Sequence, residues 1–201
     1  MLRNPIHKRL ERLEPWQLQT FMVCLCERMY PNYQAFALAS GFGNPVLYRT
    51  VLDLAWEVLT VKGAKVNFEN QLEKFEEQIP AADDFDMYGV FPAIDACVGL
   101  SDLLHSQLSG EELAFALSIS RISINTVAML EMHDQDRELS EEELKALPNI
   151  QNELDVQWEI YRLLAACEER DLELIKGLRA DLREAGISNI GIAAVSGVRE
   201  A

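Results

Sequence analysis

The middle of this sequence lacks basic side chains: no lysine or arginine occurs between Lys74 and Arg121. Residues 1–74 carry nine basic and seven acidic side chains, residues 75–161 three and nineteen, and residues 162–201 six and seven. The net charge of −15 is therefore concentrated in the middle of the chain. Because nucleic acids and anionic lipids bind clustered lysine and arginine, we expect neither nucleic acid nor membrane as a partner. The same charge also favours solubility without any partner.

Long apolar runs are missing as well. No run approaches the roughly 18 apolar residues of a membrane-spanning helix. Charged side chains such as Arg3, Lys8 and Glu11 interrupt the segment that a secretion signal would occupy. These absences predict a cytoplasmic protein. At 201 residues and 49% hydrophobic composition, the chain is large enough for one substantial core, and we expect a single domain over residues 1–201, as a monomer or a homodimer.

Cysteine is scarce and is not spaced for cross-linking. The four cysteines, Cys24, Cys26, Cys97 and Cys167, lie within apolar helical patterns rather than in loops. Cys24 and Cys26 project about 200° apart on a helix, so they cannot easily share a disulfide or a metal. We expect all four to be buried, reduced thiols.

Motifs of familiar enzymes are absent. The sequence contains no Gly-x-Ser-x-Gly elbow, no Cys-x-x-Cys pair and no phosphate-binding glycine loop. A dimetal helical bundle needs Glu-x-x-His pairs, yet none of the three histidines, His7, His105 and His133, follows a glutamate by three residues. The sequence therefore predicts no catalytic residue, no metal and no cofactor.

Helix signals dominate what is present. Proline follows Asn4, Glu14 and Asn44, a pairing that is typical of helix starts. A serine with a glutamate three residues later predicts capping boxes at 109–112 and 140–143. The first box opens a helix that mixes apolar residues with serine and threonine, which indicates contact on several sides. The pattern predicts an all-α, single-domain bundle of about eight to ten helices.

The C-terminal part predicts a long helix or a pair of helices. No strong helix breaker occurs from about residue 149 to residue 185, so this stretch is either one long helix or two nearly collinear helices. Gly186 is placed to end it in the left-handed conformation. The apolar tail at 187–201 either packs as an extended cover or frays.

An acidic segment at 83–106 is the best candidate site for a ligand or a partner. Its candidate residues are Asp83, Asp84, Asp86, Tyr88, Asp95, Asp102 and His105. On a helix, Asp95 and Asp102 share nearly one azimuth about 10 Å apart, and His105 lies one turn further. These groups could hold a divalent metal if other helices supplied more ligands. The plainer interpretation, which we favour, is that this face simply meets water.

A basic stripe contrasts with the acidic middle. Lys176, Arg179 and Arg183 recur at i, i+3 and i+7 on one helix face. The stripe is a candidate docking surface, either for the acidic middle of the same chain or for an acidic partner. Basic residues near a helix C-terminus also complement its dipole, and we favour that interpretation.

Five segments carry a family resemblance. They are NPIHKRLERL at 4–13, CLCERMYPNY at 24–33, LEKFEEQIP at 72–80, DFDMYGVFPAIDAC at 84–97 and LIKGLRADLREAG at 174–186. With these segments the chain resembles the YjaG-like family of bacterial proteins from its first residues to about Gly191. The resemblance implies an all-helical, cytoplasmic protein of unknown function, with no established site residues to carry across. It also implies a link to histidine-kinase signalling, suggested by gene neighbourhood.

Two functions remain open from the sequence. The favoured one is a non-enzymatic protein-interaction or regulatory module, whose acidic middle or basic stripe contacts an unknown protein partner. The alternative is a metal-dependent or small-ligand enzyme that uses the loop from Asp83 to Asp86 with Asp95, Asp102 and His105. The direction in which Asp95 points bears on this choice, because a buried carboxylate needs a partner.

Overall fold

The computed structural model describes Leu2 and residues 4–195, and these residues form nine α-helices and no β-strand. The helices are α1 (His7–Leu10), α2 (Pro15–Ser40), α3 (Pro45–Thr60), α4 (Phe68–Glu76), α5 (Val90–Ser109), α6 (Glu112–Asp134), α7 (Glu141–Ala146), α8 (Pro148–Ala165) and α9 (Leu172–Ala185). A short 3-10 turn, Ala82–Asp84, precedes α5. The predicted all-α fold is confirmed.

Helix α2 is the centre of the bundle. It packs against α3, α5, α6, α8 and α9. Its side chains are buried in an almost unbroken run from Gln17 to Tyr33, because neighbouring helices cover it on all sides. A helix in this position has no solvent-facing side, so any charged residue on it must find a partner inside the protein.

Most of the predicted helix starts agree with the structure. Glu14 and Gln17 form a capping box at the start of α2, and the Asn44 side chain accepts the N–H of Leu47 at the start of α3. Ser140 forms the predicted capping box with Glu143.

The capping box predicted at 109–112 is wrong. Ser109 is the last residue of α5, and Gly110 closes that helix with a φ of +73°. The Ser109 hydroxyl donates to the carbonyl of His105, 3.0 Å away, so the serine belongs to the preceding helix. Glu111 stands at the N-cap of α6 without a side-chain cap.

The C-terminal stretch forms two helices rather than one. Helix α8 ends at Ala165, and Asp171 caps the start of α9 by accepting the N–H groups of Glu173 and Leu174. Gly186 ends α9 in the left-handed conformation, with a φ of +57°, as predicted.

Helix α6 is contacted by four other helices. By length and composition alone it is apolar enough to cross a membrane, but it packs against α1, α2, α5 and α8. Its hydroxyl side chains Ser120, Ser123 and Thr126 are buried against those neighbours. The prediction of a helix contacted on several sides is confirmed, and 44% of its most apolar 18-residue stretch is buried.

The tail folds back over α2 as far as it is described. Ile187 and Ala193 form an isolated antiparallel bridge, and the Gln34 side chain exchanges two hydrogen bonds with the backbone of Val195. The buried Asn189 side chain donates to the Ser123 carbonyl at 3.0 Å. Residues 187–195 thus form the extended cover, while the rest of the predicted tail, 196–201, lies outside the described residues.

Three of the four cysteines follow the prediction. Cys24, Cys26 and Cys97 are buried free thiols, and burial raises the pKa of each. Cys167 is also free but only partly buried, so the prediction of full burial is wrong there. It lies just beyond the end of α8, where the chain leaves the core.

Two glycines in the turn between α2 and α3 provide a matched stability test. Gly41 and Gly43 both have positive φ, but a Cβ on Gly43 would lie 2.4 Å from the Tyr33 hydroxyl oxygen, whereas one on Gly41 would meet nothing within 4 Å. That hydroxyl donates to the Gln78 carbonyl and accepts the Asn44 N–H. We expect Gly41→Ala to lower the free energy of unfolding by about 1 kcal/mol and Gly43→Ala by about 2–4 kcal/mol. Chemical denaturation measures both, and equal losses would contradict this packing.

Candidate functional site

The acidic loop before α5 is held by an aromatic anchor. The Phe85 ring packs edge-on against Phe36 and Phe42, with ring centroids 4.9 and 5.5 Å apart. This anchor fixes the backbone between the acidic residues. The loop carboxylates Asp83, Asp84 and Asp86 are all exposed.

An apolar groove opens beside this loop. The ring of Tyr88 stacks on His133 with centroids 3.8 Å apart and planes 11° apart, and it lies 5.6 Å from the Phe91 ring. Phe91 and Met129 remain 51% and 54% exposed and lie together in this groove. We call this feature the Phe91 groove; it has a volume of about 280 Å³ and is lined by Tyr88, Phe91, Pro92, Ile94, Asp95, Thr126 and Met129.

Asp95 forms the polar wall of the Phe91 groove. It is partly buried, and the hydroxyl of Thr126 on α6 donates to its Oδ2 atom at 2.7 Å. Burial raises the pKa of Asp95, and the Thr126 hydrogen bond opposes that shift. Its hydrogen-bond partner is therefore a hydroxyl group and not the guanidinium of Arg121, whose side chain is exposed.

Asp102 repeats this arrangement further along α5. Burial raises its pKa, while a hydrogen bond from Ser118 and the nearby charge of His105 lower it. His105 is exposed and lies parallel to the Phe115 ring at 6.1 Å. Helices α5 and α6 therefore meet through two carboxylate–hydroxyl pairs, and the expectation that this face simply meets water is wrong for both carboxylates.

The candidate residues do not assemble a metal site. Within the part of the chain that the structure describes, no group of three or more histidine, cysteine, aspartate or glutamate side chains is placed to hold a metal ion. Asp95 and Asp102 each face a hydroxyl, and the loop carboxylates point outward. The geometry gives no support to the metal-dependent alternative.

Negative charge surrounds the Phe91 groove. Burial raises the pKa of Tyr88, and the charges of Asp95 and Asp134 raise it further. Among the described residues, no lysine or arginine lines the groove. The site therefore combines exposed apolar side chains with the nearby carboxylates of Asp95 and Asp134.

The basic stripe on α9 is largely bound within the protein. Arg179 lies 2.9 Å from Asp53, and Arg183 pairs with both Asp53 and Glu27. Lys176 is exposed and pairs only locally with Glu173. The stripe docks on carboxylates of α2 and α3, which lie outside the acidic middle of the sequence.

Sequence reasoning missed a buried charge network. Glu153 on α8 is fully buried and accepts hydrogen bonds from Arg28 at 2.8 Å, Ser123 at 2.7 Å and Gln157 at 2.9 Å. On α2, the adjacent Glu27 accepts from Arg49 at 2.5 Å and from the Trp56 indole at 2.9 Å. A charged pair inside an apolar helical run was the signal that could have revealed these sites.

A second groove lies on the other side of α6. It has a volume of about 420 Å³ and covers the smaller hydrophobic cluster where α6, α7 and the start of α8 meet. Met129 belongs to both grooves and forms the ridge between them. We call it the Leu139 groove; it is lined by Leu2, Asn125, Ala128, Met129, Met132, Leu139, Glu141 and Leu144.

The fold and the site define an all-helical protein with an acidic, apolar groove and, in its described residues, no assembled metal cluster. Comparison with known proteins identifies its family. The chain belongs to the family described as protein of unknown function (DUF416), whose model matches residues 5–193.

Relatives cover nearly the whole chain. The chain is 70% identical over 192 residues to the uncharacterized protein YjaG of Escherichia coli K12, covering 96% of this chain and 98% of that protein. It is 52% identical to an uncharacterized protein of Haemophilus influenzae, covering 95% and 98%. The crystal structure of a DUF416 family protein from Shewanella baltica matches with a TM-score of 0.90 and 36% identity, covering 96% of this chain and 100% of that one. The predicted resemblance is confirmed.

The environment of Asp95 gives stability a pH dependence. Because the folded protein raises the pKa of Asp95, the stability contribution of this group is complete at low pH and is lost as the pH rises through the folded pKa. Asp95→Asn removes this loss and keeps an acceptor for Thr126. We expect the variant to be more stable than the wild type at neutral pH, with a smaller difference in mild acid, in urea unfolding monitored by circular dichroism. Asp83→Asn removes the same charge from the exposed loop, and an identical response from it would contradict the assignment.

The two ends of the basic stripe should differ in stability effect. Arg183 bridges Glu27 and Asp53, and its loss leaves the buried Glu27 with one cation fewer. We expect Arg183→Ala to lower the free energy of unfolding by about 1–3 kcal/mol, whereas Lys176→Ala changes it by less than about 0.5 kcal/mol. Thermal and chemical denaturation measure both. A loss from Lys176→Ala as large as that from Arg183→Ala would show that the stripe does not dock as described.

Proposed function

We propose that this protein is a non-enzymatic interaction module that binds a basic, amphipathic segment of a protein partner in the Phe91 groove. The observation that carries the proposal is the exposure of Phe91 and Met129 in one groove, next to the carboxylates of Asp95 and Asp134. Exposed large apolar side chains that cluster at one place are typical of interaction surfaces. A regulatory role in bacterial signalling would need a surface of this kind to bind a protein partner.

The carboxylates near the Phe91 groove favour a basic partner. Asp95 and Asp134 act on the groove itself, and three exposed carboxylates stand on the adjoining loop. A second copy of this chain would bring its own negative charge, and the net charge of −15 makes that approach unfavourable. Nucleic acid and anionic membranes are disfavoured for the same reason. A lysine- or arginine-rich protein segment complements the site, and such a partner suits a cytoplasmic protein.

A designed peptide pair tests the proposal. One fluorescent helical peptide combines lysine with leucine on one face, and its control replaces every lysine by glutamate. We expect fluorescence anisotropy to show binding of the lysine peptide. Its affinity should fall as the salt concentration rises, because screening reduces the attraction between exposed charges. Equal binding of the two peptides would contradict the proposal.

A matched pair of variants tests whether the peptide binds in the Phe91 groove. Phe91 and Leu108 lie on the same helix and are 51% and 50% exposed, but only Phe91 lines the groove. We expect Phe91→Ser to lower the affinity for the lysine peptide at least tenfold, a loss of roughly 1.4 kcal/mol in binding free energy. Leu108→Ser should leave the affinity unchanged. Molar mass by light scattering is the companion measurement. A dimer that Phe91→Ser dissociates would assign the groove to a second copy instead.

A further inference from the structure

We propose that the partner segment binds as an α-helix lying across α6, with one apolar anchor in the Phe91 groove and a second in the Leu139 groove. This inference rests on the proposed function and specifies the shape of the partner. It depends on the ridge that divides the two grooves and on the distance across that ridge.

The azimuths of the α6 residues define the ridge. At 100° per residue, Met129 projects between Thr126 on one side and Ala128 on the other. Thr126 lines the Phe91 groove, and Ala128 lines the Leu139 groove. Because Met129 is 54% exposed and belongs to both, the two grooves form one apolar surface with a flexible methionine at its crest.

The second groove is itself a place for an apolar anchor. Its walls are mainly Leu2, Ala128, Met132, Leu139 and Leu144, beside the carboxylate-bearing Glu141. The underlying cluster packs Leu139 and Leu144 against Ile124 and Val127 of α6, so the floor of the groove is a built part of the fold. An apolar side chain of the partner would extend this cluster outward.

The spacing favours a helical partner over an extended one. The grooves flank one helix, so their centres lie about one interhelical distance apart, roughly 8–10 Å. Two helical residues seven apart are about 10.5 Å apart on one face. In a strand, three residues span about 10 Å, but side chains at odd spacing point to opposite faces. Two anchors seven residues apart on a basic helix therefore match both the distance and the common direction.

Three lysine-rich helical peptides test the spacing, and the first two have equal composition. The first lysine-rich helical peptide carries two leucines seven residues apart, and the second carries them nine apart, which places them on opposite faces. A third replaces one leucine by alanine. We expect the first to bind at least tenfold more tightly than either of the others by fluorescence anisotropy. Met132→Ala, in the Leu139 groove, should lower the affinity for the first peptide and leave the affinity for the third unchanged.

The outcomes separate this inference from the proposed function. If the first two peptides bind equally and Phe91→Ser weakens both, the two-anchor geometry is wrong and the interaction function stands. If lysine peptides bind no better than their glutamate counterparts, the proposed function fails and this inference fails with it. Because the peptide comparison uses the unaltered protein, it decides the spacing even if Met132→Ala proves unstable.

Discussion

Two adjacent charges at the centre of α2 organise the bundle. Glu27 and Arg28 are about 100° apart around the helix, so they face different neighbours. Glu27 pairs with cations from α3 and α9, and Arg28 pairs with Glu153 of α8. Because a buried charge left unpaired is strongly destabilising, each outer helix must present its charged residue inward. Apolar burial drives the collapse, and this pair ties the rotation of three outer helices to α2.

Further ion pairs inside the bundle use arginines from both ends of the chain. Arginines from the N-terminal and C-terminal parts of the chain, Arg28, Arg49, Arg179 and Arg183, are used against carboxylates within the bundle. The acidic middle contributes few basic residues of its own and leaves its loop carboxylates exposed. The exposed loop carboxylates Asp83, Asp84 and Asp86 lie close in sequence to Tyr88 and Phe91, which line the apolar groove.

The sequence predicted local structure well and long-range pairing poorly. Caps at Asn44 and Ser140 depend on side chains three residues apart, so their signals can be read directly. The position of Asp95 depends on Thr126, 31 residues away, and the burial of Arg28 depends on Glu153, 125 residues away. No periodicity reports such pairings. The sequence singled out the acidic segment by its charge, but the aromatic and methionine side chains that line the groove come together only where α5 and α6 pack against each other.

The folded-back tail has a consequence for how the chain is made. Asn32, deep in α2, donates to Asn189, a contact that spans 157 residues. Gln34 accepts the N–H of Val195. Contacts of such separation form late, because loop closure must precede them. Until residues 189–195 have been synthesised, the side chains of Asn32 and Gln34 lack these partners. A chain that is interrupted before residue 189 would therefore leave the Asn32 and Gln34 side chains of the central helix without these two partners.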